Sequence, residues 1–330
     1  MAGTDGGGAV SAGSAGAASD LPLRACPVIV GPTAVGKTGL VLDLAARHRV
    51  EVISLDSRQI YHGLRIGTAQ PSAAEQAACP HHLIDFVPPK ERYSARRYRD
   101  DFERYFRAVA TRGAVPVLVG GAGMYLAALR EGFLDLPDDP GGRRLAAVRD
   151  ELDPLPDETV RSLLAGEDPD SHVRIHPSDR YRSQRALEIT RLAGRPMSAI
   201  AAEQVARPAL GLAFPTFVLE RPTAELDRRI ARRTGTMIAA GWLEEVEALR
   251  ARHRDDCPGL TSLGYREVTA HLRGEIDRPE MVARVVRGTR QYAKRQRTWF
   301  RRVDGLARGA PEDPRLREAI AGVLREAKTG

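Results

Sequence analysis

The sequence is short of several things, and each shortage narrows its class. It has three cysteines, Cys26, Cys79 and Cys257, too far apart for metal-ligand spacing. A disulfide framework and a cysteine zinc site are therefore excluded, and a reduced, cytoplasmic setting is expected. No apolar run approaches the ~20 residues needed to span a bilayer, so no membrane association is expected. The first 20 residues are Gly, Ala and Ser in the main, with neither a basic start nor an apolar block. That composition reads as a disordered leader over residues 1–22, not as a secretory signal. Acidic residues are missing altogether between Met281 and Arg302, a stretch that carries eight Lys and Arg.

What remains is a normal globular balance, 42% hydrophobic and 28% charged over 330 residues. The formal net charge is +7, so the chain outside 281–302 sums to −1. Positive charge gathered in one segment is the footprint of a surface for a polyanion. Within it Arg284, Arg287, Arg290, Lys294, Arg297 and Arg301 recur at steps of three or four. That spacing predicts a stripe along one helix, with Val285, Tyr292 and Trp299 among the candidate inward residues.

Strand-like and helix-like segments alternate along the first part of the chain. Strands are expected at Pro27 to Val30, Glu51 to Leu55, His82 to Phe86 and Val115 to Val119, with helices near Lys37 to His48 and Ala95 to Arg112. Alternation of this kind implies an α/β fold, a parallel sheet with flanking helices. Residues 137–210 change character, rich in Pro, Gly, Arg and Asp with helical patches such as Tyr181 to Ala193, and read as a helical insertion. A strand returns at Thr216 to Glu220 and the pattern is helical from Thr223 to Arg302. The expected organisation is a core of residues 23–136 and 211–303, the insertion at 137–210, and a tail at 304–330 with an amphipathic helix over Pro314 to Ala327.

One motif carries chemistry by itself. Gly31, Pro32, Thr33, Ala34, Val35, Gly36, Lys37 and Thr38 match G-x-x-x-x-G-K-[ST] in full, between an apolar strand and a helix. Backbone amides in such a loop converge on phosphate oxygens and the helix N-terminus adds a favourable field. Lys37 is expected to supply charge to the terminal phosphate, and the Thr38 hydroxyl to coordinate Mg2+. The motif says phosphate without saying whose, since a diphosphate is the same local object on a nucleotide and on an alcohol. Asp56 closes the second strand, where sites of open α/β sheets gather. It could take a proton, support Mg2+ through water, or cap the next turn. Ser57, Arg58 and Gln59 follow it as a polar cluster.

Eight segments in order resemble the bacterial tRNA dimethylallyltransferases, the tRNA isopentenyl transferase family. They are GPTAVGKT at Gly31 to Thr38, DSRQIYHGLRIGTAQP at Asp56 to Pro71, HHLIDF at His81 to Phe86, RYSA at Arg92 to Ala95, VLVGGAGMYLAAL at Val117 to Leu129, RIHPSDRYRSQRALEI at Arg174 to Ile189, LGYRE at Leu263 to Glu267 and YAKRQRTWFR at Tyr292 to Arg301. The resemblance implies a P-loop kinase-like core, dimethylallyl diphosphate as donor, Mg2+, and N6 of adenosine 37 in the tRNA anticodon loop as acceptor. It implies that Lys37 and the loop hold the leaving diphosphate with Arg229 and Arg233, and that Asp56 is the base. For tRNA it implies Asp56, Ser57, Arg58, Gln59, Ala122, Arg144, Arg182, Arg185, Lys294, Arg295, Arg297 and Arg301, in a monomer. The family usually has threonine where Ala122 stands, and Val-Asp where this chain has Thr234-Gly235. Aspartate-rich DDxxD sites are absent, since Asp100-Asp101 and Asp138-Asp139 lack a second partner at that spacing. Diphosphate chemistry therefore falls to the P-loop. Prenyl transfer to free AMP or ADP, a P-loop small-molecule or nucleotide kinase, and an RNA-binding protein with an idle P-loop are the competing readings.

Overall fold

The computed structural model describes residues 23–329; the leader expected over 1–22 lies outside the described residues. In chain order the elements are β1 (Val28–Val30), α1 (Lys37–Ala45), β2 (Val50–Leu55), α2 (Ala73–Ala78), β3 (His81–His82), α3 (Ala95–Thr111), β4 (Val115–Gly120) and α4 (Gly123–Arg130). A run of helices follows: α5 (Arg143–Leu152), α6 (Asp157–Glu167), α7 (Pro169–Arg174), α8 (Arg180–Ala193) and α9 (Met197–Glu203). The chain then returns to β5 (Thr216–Leu219), α10 (Thr223–Ala239), α11 (Trp242–Arg250), α12 (Tyr265–Leu272), α13 (Arg278–Phe300), β6 (Ala307–Gly309) and α14 (Pro314–Thr329).

Two compact units result, Glu131–Arg207 and the remainder of the chain. In the larger unit six parallel strands form one sheet in the order β3-β2-β4-β1-β5-β6. The strands are apolar on both faces, as a sheet covered on both sides must be. Alternation along β1 sends Val28 and Val30 to one face and Ile29 to the other. The first face packs on Tyr98, Phe102 and Phe106 of α3 and on Leu126 and Leu129 of α4. Helix α3 places Tyr98, Phe102, Phe106 and Val109 on one buried side, and the Ser94 hydroxyl accepts the Arg97 N–H at its start. The opposite face packs on Leu40, Val41 and Leu44 of α1 and on Leu316, Ile320 and Leu324 of α14. A third cluster, around Trp242, Val246, Tyr265, Val268 and Val285, joins α11, α12 and α13.

Register matters more than layering for function. Val30 of β1 and Leu55 of β2 both stand opposite Gly120 of β4. Three strands therefore end level, and the segments starting at Gly31, Asp56 and Gly121 leave the sheet side by side. The smaller unit is helical, with Leu152, Val160, Leu164, Ala186 and Leu187 as its core.

The structure departs from sequence expectation at two places in the sheet. The strand read over His82 to Phe86 is only His81–His82. Leu83 and Asp85 take positive φ, 60° and 53°, which breaks the extended run. Asp85 instead accepts the Gly63 N–H at 2.8 Å and pairs with Arg65 at 2.7 Å, so local turn bonding wins over strand propensity. The second departure is β6, a short edge strand beside β5 in a segment read only as tail.

Among the described residues no helix is long and apolar enough to cross a membrane. The three cysteines are free and buried. Because Ile320 is fully buried against the sheet, Ile320→Ala is expected to cost about 2–5 kcal/mol in a denaturant melt. A loss below ~1 kcal/mol would mean that α14 is not an integral cover of that face.

Candidate active site

The P-loop runs from β1 into α1, and its backbone needs glycine: Gly36, which caps α1, has φ of 113°. Its carbonyls are hydrogen-bonded by basic side chains. The half-buried Lys37 donates to the Gly31 and Pro32 oxygens at 2.9 and 3.0 Å. Nε of Arg229 donates to the Ala34 oxygen at 2.7 Å, and Nε of Arg221 to the Val35 oxygen at 2.7 Å. Arg233 donates to the Thr33 hydroxyl at 3.2 Å. The Thr33 N–H is received at 2.8 Å by Gln296, whose amide nitrogen donates to the Gly121 carbonyl at 3.1 Å.

Two chambers open around this loop. One of about 510 Å³ is lined by Gly36, Lys37, Thr38, Arg229, Arg232 and Gln296, a cationic phosphate end. The other, about 540 Å³, is lined by Ser57, Arg58, Met237, Trp242, Val285 and Arg295, an end where aromatic and apolar side chains are mixed with polar and basic ones. Thr33, Ala34, Asp56, Thr68, Arg233 and Tyr292 border both, so the chambers form one basin with Asp56 at the join.

Asp56 does two jobs. Its Oδ1 accepts the N–H groups of Arg58 and Gln59 at 2.7 and 3.2 Å, which shapes the turn after β2. Oδ2 accepts no hydrogen bond among the described residues and is left for the basin. Gln59 is structural: it accepts from Ser54 at 3.1 Å and donates to the Ala69 carbonyl at 2.8 Å, holding the wall that carries Thr68. Glu245 steadies the same wall from outside, accepting the N–H groups of Arg65, Ile66 and Gly67 and the Tyr265 hydroxyl.

Burial, offset in part by Asp56 and reinforced by Arg233, lowers the Lys37 ammonium to about 8. Burial also lowers Arg233, against the pull of Asp56. A phosphate end of concentrated, partly desolvated cations is short of negative charge. No group of three His, Cys, Asp or Glu among the described residues is placed to hold a metal. Thr38 is exposed at the start of α1 and its hydroxyl has no partner among the described residues. Thr38 would be the protein's one oxygen ligand if a divalent cation entered with a phosphate group, since Mg2+ keeps most of its ligands outside the protein.

Other expected residues are distributed differently. Arg295 lines the basin with its guanidinium over the Tyr292 ring, 5.8 Å from the centroid. Lys294, Arg297 and Arg301 line a separate cleft of about 650 Å³ with Pro32 and Arg221. Ala122 packs against the core cluster and borders neither chamber. Arg144, Arg182 and Arg185 belong to the smaller unit, where each is occupied locally: Arg144 on the Leu192 carbonyl, Arg182 on Asp179 and Arg185 on Glu188.

The charged stripe of α13 is not uniform either. Arg284 pairs with Glu280 and Arg290 with Asp227, acids that lie just outside the acid-free stretch or on α10. Trp299, read as inward, is 37% exposed, because the buried side of α13 is formed by Met281, Val285, Ala293, Gln296 and Phe300 instead. Gln296 and Glu245 were missed by sequence reasoning. The first is an uncharged residue inside a basic run, and the second needs a partner loop 180 residues away.

Fold and site together define a P-loop α/β protein with a cationic chamber beside a carboxylate. The narrower placement comes from comparison. The pattern of the IPP transferase family matches residues 59–303, and that of the isopentenyl transferases matches 25–84. A tRNA dimethylallyltransferase of Halorhodospira halophila is 45% identical over 286 residues, covering 84% of this chain and 90% of that one. The tRNA isopentenylpyrophosphate transferase of Bacillus halodurans superposes with a TM-score of 0.64 at 33% identity, over 92% of this chain and 98% of the other. A eukaryotic dimethylallyltransferase solved acting on tRNA gives 0.75 at 26% identity, over 88% and 74%. The chain belongs to the IPP transferase family.

Two measurements probe the site with inorganic pyrophosphate. Since the folded Lys37 gives up its proton near 8, calorimetric affinity is expected to decline as pH rises through that value. Lys37→Met should bind weakly at every pH and lack this decline; an identical profile would remove Lys37 from the site. Gln296→Leu leaves the Thr33 N–H and Gly121 carbonyl without partners and is expected to destabilise by about 1–3 kcal/mol, with weaker pyrophosphate binding.

Proposed function

We propose that this chain transfers the dimethylallyl group of dimethylallyl diphosphate to the N6 amine of adenosine 37 in the anticodon loop of tRNA, releasing diphosphate. The observation that carries this reading is Asp56 at the join of the two chambers, with one carboxylate oxygen unengaged. The diphosphate belongs in the chamber of Lys37, Thr38, Arg229 and Arg233. The chamber bordered by Trp242 and Tyr292, with polar groups between them, suits the purine. The tRNA-acting relatives support the acceptor class.

In the reaction the allylic C–O bond breaks and its electrons leave with the diphosphate. The loop amides, Lys37, Arg229 and Arg233 receive that charge, where preorganised cations are worth more than in water. Mg2+ held by the diphosphate and Thr38 would add to the same charge neutralisation. The N6 lone pair, delocalised into the ring, is a poor nucleophile. Asp56 Oδ2 accepts a hydrogen bond from the amine, turns the lone pair toward the allylic carbon and takes the proton as the C–N bond forms. An adenine stacked in a loop must first be extruded, at a cost of a few kcal/mol that contacts to flanking phosphates offset. The chain acts as a monomer in the cytoplasm on this reading.

Incubation of the purified protein with donor, Mg2+ and tRNA, followed by nucleoside mass spectrometry, tests the proposal. An adenosine heavier by one five-carbon unit is expected, with no product from AMP, and Asp56→Asn should slow turnover by about 10²–10⁴ while leaving tRNA binding within a few-fold. Product from AMP but not tRNA would move the acceptor to free nucleotide. Phosphate transfer from ATP in place of prenyl transfer would make the protein a kinase.

A further inference from the structure

The chain has two tryptophans, and they sit in opposite environments: Trp242 is 1% exposed and Trp299 37%. An indole is an expensive group to leave in water, and single exposed apolar residues are nonetheless common. Three further observations separate Trp299 from that background.

Its seat is the first. A Cβ added to Gly123 would stand 2.3 Å from Nε1 and 2.4 Å from both Cδ1 and Cε2 of Trp299. Near-equal distances to three consecutive ring atoms put that point over the face of the five-membered ring, not off its edge. The indole therefore lies flat on a glycine backbone, and only glycine permits the approach. Its exposure belongs to the rest of the ring.

Next to it stands Met124, the residue after the glycine seat, 67% exposed. The third observation is position. Tyr292, Arg295 and Trp299 fall at i, i+3 and i+7 on α13, one helix face. The first two line the reaction basin, and the third continues the same line outward. Gly121, one position before the start of the turn that seats Trp299, borders the phosphate chamber.

Charge supplies the kind of partner. Arg284 and Arg290, farther up α13, are neutralised by acids. Lys294, Arg295, Arg297, Arg301 and Arg302 make no ion pair among the described residues. Arg278 and Arg287 are unpaired among the described residues as well, but five of the unpaired cations crowd the end of the helix that carries the exposed aromatic. An aromatic face amid free cations is the arrangement that binds single-stranded nucleic acid, the bases stacking and the phosphates pairing.

We propose that Trp299, seated on Gly123 and flanked by Met124, is a stacking platform for an unpaired base of the RNA acceptor, next to the base that enters the basin. This rests on the reading of the chain as an enzyme acting on tRNA. It gives Trp299 a task distinct from the arginines: they neutralise phosphates, and the indole holds a neighbouring base out of the loop stack so that the target adenine loses a stacking partner.

Because the second tryptophan is buried, iodide quenching of intrinsic fluorescence reports on Trp299. With an anticodon stem–loop RNA added to the full chain, emission is expected to change and iodide access to fall. Trp299→Leu should lose that response and bind the RNA about tenfold or more weakly, with the KM for dimethylallyl diphosphate unchanged. Trp299→Tyr, which keeps a stacking face, should bind within about threefold of the parent. Circular dichroism on both variants verifies the fold. Wild-type affinity in Trp299→Leu, or iodide access unaltered at saturating RNA, overturns the proposal. So does protection that appears without RNA as protein concentration rises, with a dimer in sedimentation, since the patch would then cover a second copy. If the parent protein prenylates the RNA and Trp299→Leu binds it equally well, only the platform fails; if the parent makes no prenylated RNA, the functional reading itself fails.

Discussion

The whole site depends on how the P-loop carbonyls are bonded. A tight loop can aim its N–H groups at a ligand only if the oxygens on its other side find donors, because an unpaired carbonyl in a half-buried turn costs free energy. Here the donors are Lys37, Arg221 and Arg229, which between them hold the oxygens of Gly31, Pro32, Ala34 and Val35. Two of these three come from much further along the chain, Arg221 just before α10 and Arg229 within it. The phosphate loop is thus a joint product of β1, α1 and α10, and its shape is as much theirs as its own.

That bonding explains how the site can be strongly cationic and still ordered. Lys37, Arg229, Arg232 and Arg233 surround one chamber with Asp56 the acid at its border. Lys37, Arg229 and Arg233 spend hydrogen bonds on the loop, and the depressed Lys37 reflects burial first, with Arg233 adding to it against the pull of Asp56. A bound diphosphate would reverse the sign of the local field and restore that proton. Asp56 is the hinge between the two ends of the basin: Oδ1 builds the turn and Oδ2 is left over. Capping uses one oxygen of the carboxylate and leaves the other unengaged, so the two roles that compete at the level of sequence are compatible in the fold.

The basic helix shows a comparable division. Read as a stripe, its cations look equivalent. In the fold they separate into paired ones near the N-terminal end, one that reaches the basin, and three that face a different cleft. A step of three or four residues drifts around a helix, so a long series with that spacing samples more than one neighbour. Trp299 was misread for the same reason: periodicity places it on a side of the helix without saying that the side ends in solvent above Gly123.

Residue order alone determined the P-loop, the parallel α/β class, Asp56 at a strand end and the family, because each is written in local spacing and in contiguous motifs. Short apolar strands and a glycine loop need no distant partner to be recognised. Tertiary structure decided which of the candidates meet. It set β1, β2 and β4 level, shortened the strand at His82, put Gln296 between Thr33 and Gly121, and gave Glu245 a loop to hold. The Gln296 and Glu245 bonds span 175 residues or more, and a hydrogen bond formed at that separation leaves no periodic trace in either segment.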